Sequence, residues 1–260
     1  MTLSGLRILL AEDNLTNQMV ATQMLESLGA EVTVADDGQD AMDIMLVENF
    51  DVALIDIEMP RLSGVDLIRD LRTRGGRFTL MPMIALTAYV MREHRLAIHE
   101  AGADGIIAKP ILSIEQLGED VLAIMKEPRE EATKPEPEPE PEPEPMAEEA
   151  PSVVDQDLFR ELCAMFDPPR RDELMRKLSQ DIGVACGQIE GAQLTSDAEM
   201  IRAASHVLIS VSGTIGATRL QTLAQCLNSA GHADDSQEIN RIAPDLISEA
   251  GKVLEFIGQG

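Results

Sequence analysis

The chain has 260 residues, enough for one to two domains, and 44% of them are apolar. Aromatic residues make up only 2%, with no Trp and a single Tyr, so aromatic stacking platforms for single-stranded nucleic acid are excluded. The net charge is −25, with 21 basic residues against 46 acidic ones, which disfavours nucleic acid and anionic membrane surfaces as partners.

No stretch is basic. Residues 1–126 carry 10 basic and 20 acidic residues, residues 127–152 carry 2 and 10, and residues 153–260 carry 9 and 16. No run approaches eighteen apolar residues, and Met1 to Leu10 has no charged segment followed by a long apolar one. A cytoplasmic protein with no signal peptide is expected. Cys163, Cys186 and Cys226 are odd in number and lack metal-type spacing, so they read as buried thiols in a reducing compartment.

In chain order, Leu6 to Ala11 is an apolar run that ends in Glu12-Asp13-Asn14 and reads as a buried strand. Leu15 to Leu28 has helical spacing and stops at Gly29. Glu31 to Ala35 is a second strand. Gly38 to Glu48 is a second helix with Ala41, Ile44 and Met45 facing inward. Val52 to Asp56 is a third strand, closed by the turn at Met59-Pro60. Val65 to Arg74 is a third helix, ended by Gly75-Gly76. Met83 to Thr87 is a fourth strand, followed by a helix from Met91 to Ala101. Gly105 to Ala108 is a fifth strand, leading into Lys109-Pro110. Ser113-Ile114-Glu115-Gln116 has the form of a capping box opening a helix that runs to about Met125.

Five alternating strand–helix units predict a doubly wound, five-stranded parallel α/β sheet with helices on both faces. Ligand sites in such sheets lie beyond the carboxyl ends of the strands. Glu12, Asp13, Asp56, Thr87 and Lys109 would gather there. Clustered carboxylates raise one another's pKa unless a cation neutralises them. An all-oxygen acidic site of this size suits Mg²⁺. Asp56 would be the nucleophile for a phosphoryl group, Lys109 would balance the added charge, and Thr87 would hydrogen-bond a phosphoryl oxygen.

Residues 1 to about 126 resemble a response-regulator receiver domain. The resemblance rests on Glu12-Asp13-Asn14, on Asp56 followed by Met59-Pro60 and Gly64, on Leu86-Thr87-Ala88, and on Lys109-Pro110. It implies a flavodoxin-like fold and phosphorylation of Asp56 from a phosphohistidine donor with Mg²⁺. It implies metal binding by Asp13 and Asp56, helped by Glu12 and the backbone carbonyl of Glu58, and a cis bond at Lys109-Pro110. The aromatic switch residue of the family falls at Ile106 and Ile107 here. Tyr89 is the one nearby ring.

Residues 127–152 form a linker whose centre, Pro135 to Pro145, alternates Pro and Glu without a break. At ~3.1 Å per residue, a polyproline-II rod of this length spans roughly 34 Å.

Residues 153–260 show no strand pattern. Helical stretches run over Leu158–Phe166, Arg171–Gln193, Asp197–Ile215, Ala217–Ala230 and Ser236–Phe256, with Pro168-Pro169 expected to separate the first two. An antiparallel four-helix bundle with a short leading helix is the simplest architecture. The stretch around His206 resembles a histidine phosphotransfer (HPt) domain, in which one exposed His on a bundle helix carries the phosphoryl group. The matching residues are Ala203-Ala204-Ser205-His206, Leu208 and Gly216-Ala217. Two positions depart from the family: Ile209 stands where it prefers Lys, and Ser210 where it prefers Gly.

The two resemblances imply a phosphoryl-accepting signalling protein that catalyses only its own phosphorylation and dephosphorylation. Its partners would be a sensor histidine kinase or another phosphorelay protein, with a further receiver docking at His206. The alternative is a phosphorylation-controlled receiver whose degenerate bundle serves docking or dimerisation.

Overall fold

The computed structural model describes residues 2–87, 92–111, 113–126, 153–195 and 197–259. Tyr89 and the Pro-Glu stretch lie outside these residues.

The N-terminal half is a five-stranded parallel sheet. Its strands are β1 (Arg7–Ala11), β2 (Glu31–Ala35), β3 (Val52–Asp56), β4 (Met83–Thr87) and β5 (Gly105–Ala108), in the order β2-β1-β3-β4-β5. This is the flavodoxin-like order, and its direction reverses between β1 and β3. β3 and β4 are buried along their whole length, as befits strands covered on both faces. The register pairs Ala11 with Ile55, Asp56 with Leu86 and Thr87 with Ala108, so the strand ends finish level at one edge.

The connecting helices are α1 (Leu15–Ser27), α2 (Gly38–Val47), α3 (Gly64–Arg74), α4 (Arg92–Ala101) and α5 (Ile114–Lys126). Asn14 caps α1 by accepting from the Asn17 backbone N–H at 3.0 Å. On α2 the inward residues are Ala41, Met42 and Met45, with Ile44 half-buried. A short 3₁₀ turn, Gly76–Thr79, precedes β4. At α5 the expected capping box is half formed. The Gln116 N–H donates to Ser113 Oγ, while the Gln116 side chain turns forward to Asp120 instead of back.

The C-terminal half is all helical: α6 (Gln156–Ala164), α7 (Pro168–Thr195), α8 (Ala198–Thr214), α9 (Thr218–His232) and α10 (Ser236–Gln259). Helices α7 to α10 pack in a ring, each against two neighbours, which is a four-helix bundle. α6 and α7 are separate helices, and Pro168-Pro169 forms the first turn of α7 rather than lying in the gap. Proline suits the first helical turn because its missing N–H would have no partner there. No described helix is long and apolar enough to cross a membrane. Of the three cysteines expected to be buried, Cys163 and Cys186 are half-buried and Cys226 is exposed. On α9, Leu220, Ala224 and Leu227 take the buried stripe, and Cys226 falls beside it.

The sheet has an apolar layer on each face. One is closed by α2, α3 and α4. The other, under α1 and α5, runs on without a break into the bundle core. The two halves are docked, with α1 packed on α7 and α8.

Candidate functional site

The site lies on the sheet edge where β1 and β3 part. Glu12 follows β1 and takes the Asn17 Nδ2–H at 2.9 Å. Asp56 ends β3 and accepts the Glu58 backbone N–H at 3.2 Å on Oδ1. Lys109 follows β5 and is joined to Pro110 by a cis peptide bond. Its Nζ donates to Glu12 Oε2 at 2.5 Å and to Asp56 Oδ2 at 2.6 Å. Thr87 ends β4 and is buried. Gly64 opens α3 against this loop, and a Cβ there would sit 2.1 Å from the Asp56 carbonyl oxygen. Only glycine permits that approach.

The charges are strongly coupled. Burial raises the Glu12 carboxyl and Asp56 raises it further, against the lowering pull of Lys109. Asp13 stands on the open rim of the cluster, and its carboxyl is raised by desolvation and by Asp56. Burial alone would drive the proton off Lys109, but Asp56 and Glu12 outweigh it and hold the ammonium charged. Carboxylate oxygens of Glu12, Asp13 and Asp56 lie within 4.8 Å of one another. Three carboxylates with one ammonium leave excess negative charge. An oxygen-only donor set of this kind fits a hard divalent cation.

His206 belongs to this site. It is on α8, yet its Nδ1 is 2.6 Å from Glu58 Oε2, two residues after Asp56. The contact is an ion pair without good hydrogen-bond alignment. The side chain is 14% exposed, so the histidine expected on an open helix face is instead covered by the receiver-like half. Burial would lower the imidazole pKa, but the Glu58 and Asp56 carboxylates leave it raised above 6.5.

The sign of the resulting pH dependence is fixed. A histidine raised by docking stabilises the docked state fully below its undocked pKa. That contribution is lost as pH rises through the raised value. In Mg²⁺-free buffer, small-angle scattering should show the chain expanding as pH climbs above about 6.5, with His206→Gln abolishing the trend. An equally pH-dependent radius in the variant would refute it.

The remaining contacts between the halves surround His206. Asn17 Nδ2 donates to Ser210 Oγ at 2.7 Å as well as to Glu12. Asp181 on α7 accepts from Thr16 Oγ1 at 2.7 Å and from Asn14 Nδ2 at 3.2 Å. A Cβ on Gly213 would meet the Pro110 ring at 2.9 Å. His206, Ser210 and Gly213 are spaced by four and three residues, which sets them on one face of α8. Ile209, three residues after His206, is buried.

The structure thus brings together Glu12, Asp13, Asp56, Thr87, Lys109 and His206. The sequence reading gave no role to Asn17, Ser210, Asp181 or the Glu58 carboxylate. Asn17 and Ser210 are polar residues on otherwise amphipathic helices, 193 positions apart. Nothing local marks them as a pair.

Comparison with known proteins bears on the N-terminal half above all. Residues 8–121 match the response regulator receiver domain family. The sensory/regulatory protein RpfC of Xanthomonas campestris pv. campestris is 29% identical over 231 residues, which cover 87% of this chain and 30% of RpfC. The aerobic respiration control sensor protein ArcB of Escherichia coli K12 is 38% identical over 111 residues, or 43% of this chain and 14% of ArcB. The chain therefore spans less than a third of either relative. Among solved structures, the receiver domain of the sensor histidine kinase PA1611 from Pseudomonas aeruginosa PAO1, with magnesium coordinated in its active-site cleft, is 33% identical. It covers 48% of this chain and 100% of that domain, with a TM-score of 0.45. The RpfC match is too long to fit in the N-terminal half and so reaches into the helical half. Residues 8–121 of this chain are a response regulator receiver domain, a module of two-component signalling.

Proposed function

We propose that the chain is a phosphorelay module in which Asp56 and His206 exchange a phosphoryl group. Its parts are a receiver over residues 1–126, a Pro-Glu linker over 127–152 and a phosphotransfer bundle over 153–260. The observation that carries this reading is the seating of His206 at the receiver's acidic edge, with Nδ1 2.6 Å from Glu58. With Nδ1 turned to that carboxylate, Nε2 is the nitrogen that carries phosphorus. Transfer to Asp56 breaks the P–N bond and forms a P–O bond to a carboxylate oxygen. The electron pair of the broken bond returns to the imidazole.

Each receiver residue has a role. Asp56 is the acceptor. Lys109, already on Asp56 Oδ2, offsets the charge the phosphoryl group brings. Thr87 hydrogen-bonds a phosphoryl oxygen. Glu12, Asp13, Asp56 and the Glu58 backbone carbonyl would hold Mg²⁺, which when bound neutralises charge on the transferring group. A sensor histidine kinase or another phosphorelay protein supplies the phosphoryl group.

A second reading, in which the bundle only docks, draws on Ile209. An isoleucine there leaves no cation at the third residue after His206.

One experiment separates the two. The full chain is labelled with Mg²⁺ and a radioactive small-molecule phosphoryl donor, beside Asp56→Asn and His206→Ala. An alkali-labile label lost in Asp56→Asn, with an alkali-stable label that needs both residues, is the expected result. An alkali-labile label alone favours the docking reading, and no label at all defeats the acceptor role of Asp56.

A further inference from the structure

We propose that Ser210 is a positioning residue: its hydroxyl, held by Asn17, fixes how α8 seats on the receiver and so where His206 stands relative to Asp56. The proposal deepens the phosphotransfer reading and rests on it.

The pair is closed off. Asn17 is 8% exposed and Ser210 5% exposed, so water does not replace either partner. The Asn17 amide spends its N–H groups in two directions. It donates to Glu12 Oε1 at 2.9 Å within the acidic cluster, and to Ser210 Oγ at 2.7 Å across the junction of the halves. The Glu12 carboxylate only accepts, which turns Nδ2 toward it, and the Ser210 hydroxyl accepts from the same Nδ2. The amide is itself anchored, because the Asn17 backbone N–H caps onto Asn14 Oδ1 at 3.0 Å. The acidic cluster is thereby tied to one point on α8.

That point lies one helical turn beyond His206 and on the same face. A rigid helix fixed there and at Gly213 against Pro110 has little freedom to slide or roll at His206. Asp181 adds a third fixed point through Thr16 and Asn14, on a different helix. Three anchors that are not collinear define an orientation. Glycine at position 210 would leave a buried Asn17 N–H without its acceptor and α8 without this anchor. The serine is therefore a feature of fit between this bundle and its own receiver.

The seating does not come from bulk charge. The receiver half has a net charge of −10 and the helical half −7, so their mean fields repel. Local hydrogen bonds and apolar burial must set the geometry.

The test uses the full chain. In the unphosphorylated protein, nuclear magnetic resonance should show the Asn17 side-chain amide protons protected from exchange. Ser210→Ala should release one of them about two- to tenfold, the worth of a net hydrogen bond. Ser210→Thr, which keeps the hydroxyl, should restore protection. In labelling experiments Ser210→Ala should slow the alkali-stable label on His206 by about the same factor, while labelling of Asp56 by the small-molecule donor stays at the wild-type rate. A residue that only supported the bundle would lower the bundle's thermal stability and leave the amide signature alone.

Unchanged Asn17 exchange in Ser210→Ala overturns the proposal. So does equal slowing of both labels. If the wild-type chain forms no label on His206, the phosphotransfer reading fails, and the Asn17 signature alone decides whether Ser210 sets the seating.

Discussion

Replacing Lys109 with Met lowers the thermal midpoint of the metal-free chain by several degrees, and Mg²⁺ recovers more of that loss than it adds to the native protein. The ammonium is the shared partner of two buried carboxylates, Glu12 and Asp56. Removing one partner of a buried ion pair costs about 3–5 kcal/mol, because a charge is left without compensation. Here the lower end applies, since the Glu12 carboxyl is already raised and can take up a proton. About 3 kcal/mol in a chain of this size corresponds to roughly 6–12 °C. The pH dependence has a definite sign. A carboxyl whose folded pKa is raised destabilises the fold once ionised, so stability returns as pH falls through the raised value. Lys109→Met enlarges that effect. Mg²⁺ at a hundred times its dissociation constant would stabilise by about 2.7 kcal/mol. Its gain should be larger in the variant, where no ammonium competes for the same oxygens. Differential scanning calorimetry with and without Mg²⁺ at two pH values reads all three effects. A midpoint insensitive to Lys109→Met, or a Mg²⁺ shift no larger than in the native chain, would sink the account.

The receiver was legible because its signals are local. β3 and β4 are short apolar runs bounded by turns, and burial on both faces is what such runs specify. Asp56, Thr87 and Lys109 could be placed at one edge because parallel strands bring all their carboxyl ends to the same side. The family match over residues 8–121 agrees with that reading. Pro168-Pro169 marked the break between α6 and α7 but not the side of it that the prolines take, because proline both stops one helix and starts another. His206 could be singled out, but not its burial. Covering it depends on Glu58, Asn17 and Pro110, which come from three separate loops and helices of the other half. Contacts between elements so distant in sequence leave no periodicity to read. The Glu58 carboxylate was passed over for a related reason. In sequence it is one more acidic residue in an acidic chain, and only a docked imidazole gives it a partner.

Gly213→Leu should undock the two halves without unfolding either. A single Cβ at this position would lie 2.8 Å from Gln221 Nε2 and 2.9 Å from the Cβ and Cγ of Pro110. The glutamine end can swing aside, but the proline ring cannot. Leucine adds three more carbons to the same space. Overpacking of this kind costs about 1–3 kcal/mol, which shifts the docking equilibrium by roughly 5- to 150-fold toward the open form. The helix is little affected, because Gly213 lies in the last turn of α8 and not in its interior. Undocking therefore carries a signature that unfolding does not. The radius of gyration rises while the helical circular dichroism stays level. Low salt should accentuate the opening, because both halves are acidic and screening between them weakens as the Debye length grows from about 8 Å at 0.15 M to about 30 Å at 0.01 M. The opened receiver should also accept phosphoryl groups faster from a separate phosphohistidine protein, since α8 no longer covers the Asp56 edge. A leucine variant that keeps the native radius at low salt would show that the halves are held by something other than the α8 face built from His206, Ser210 and Gly213.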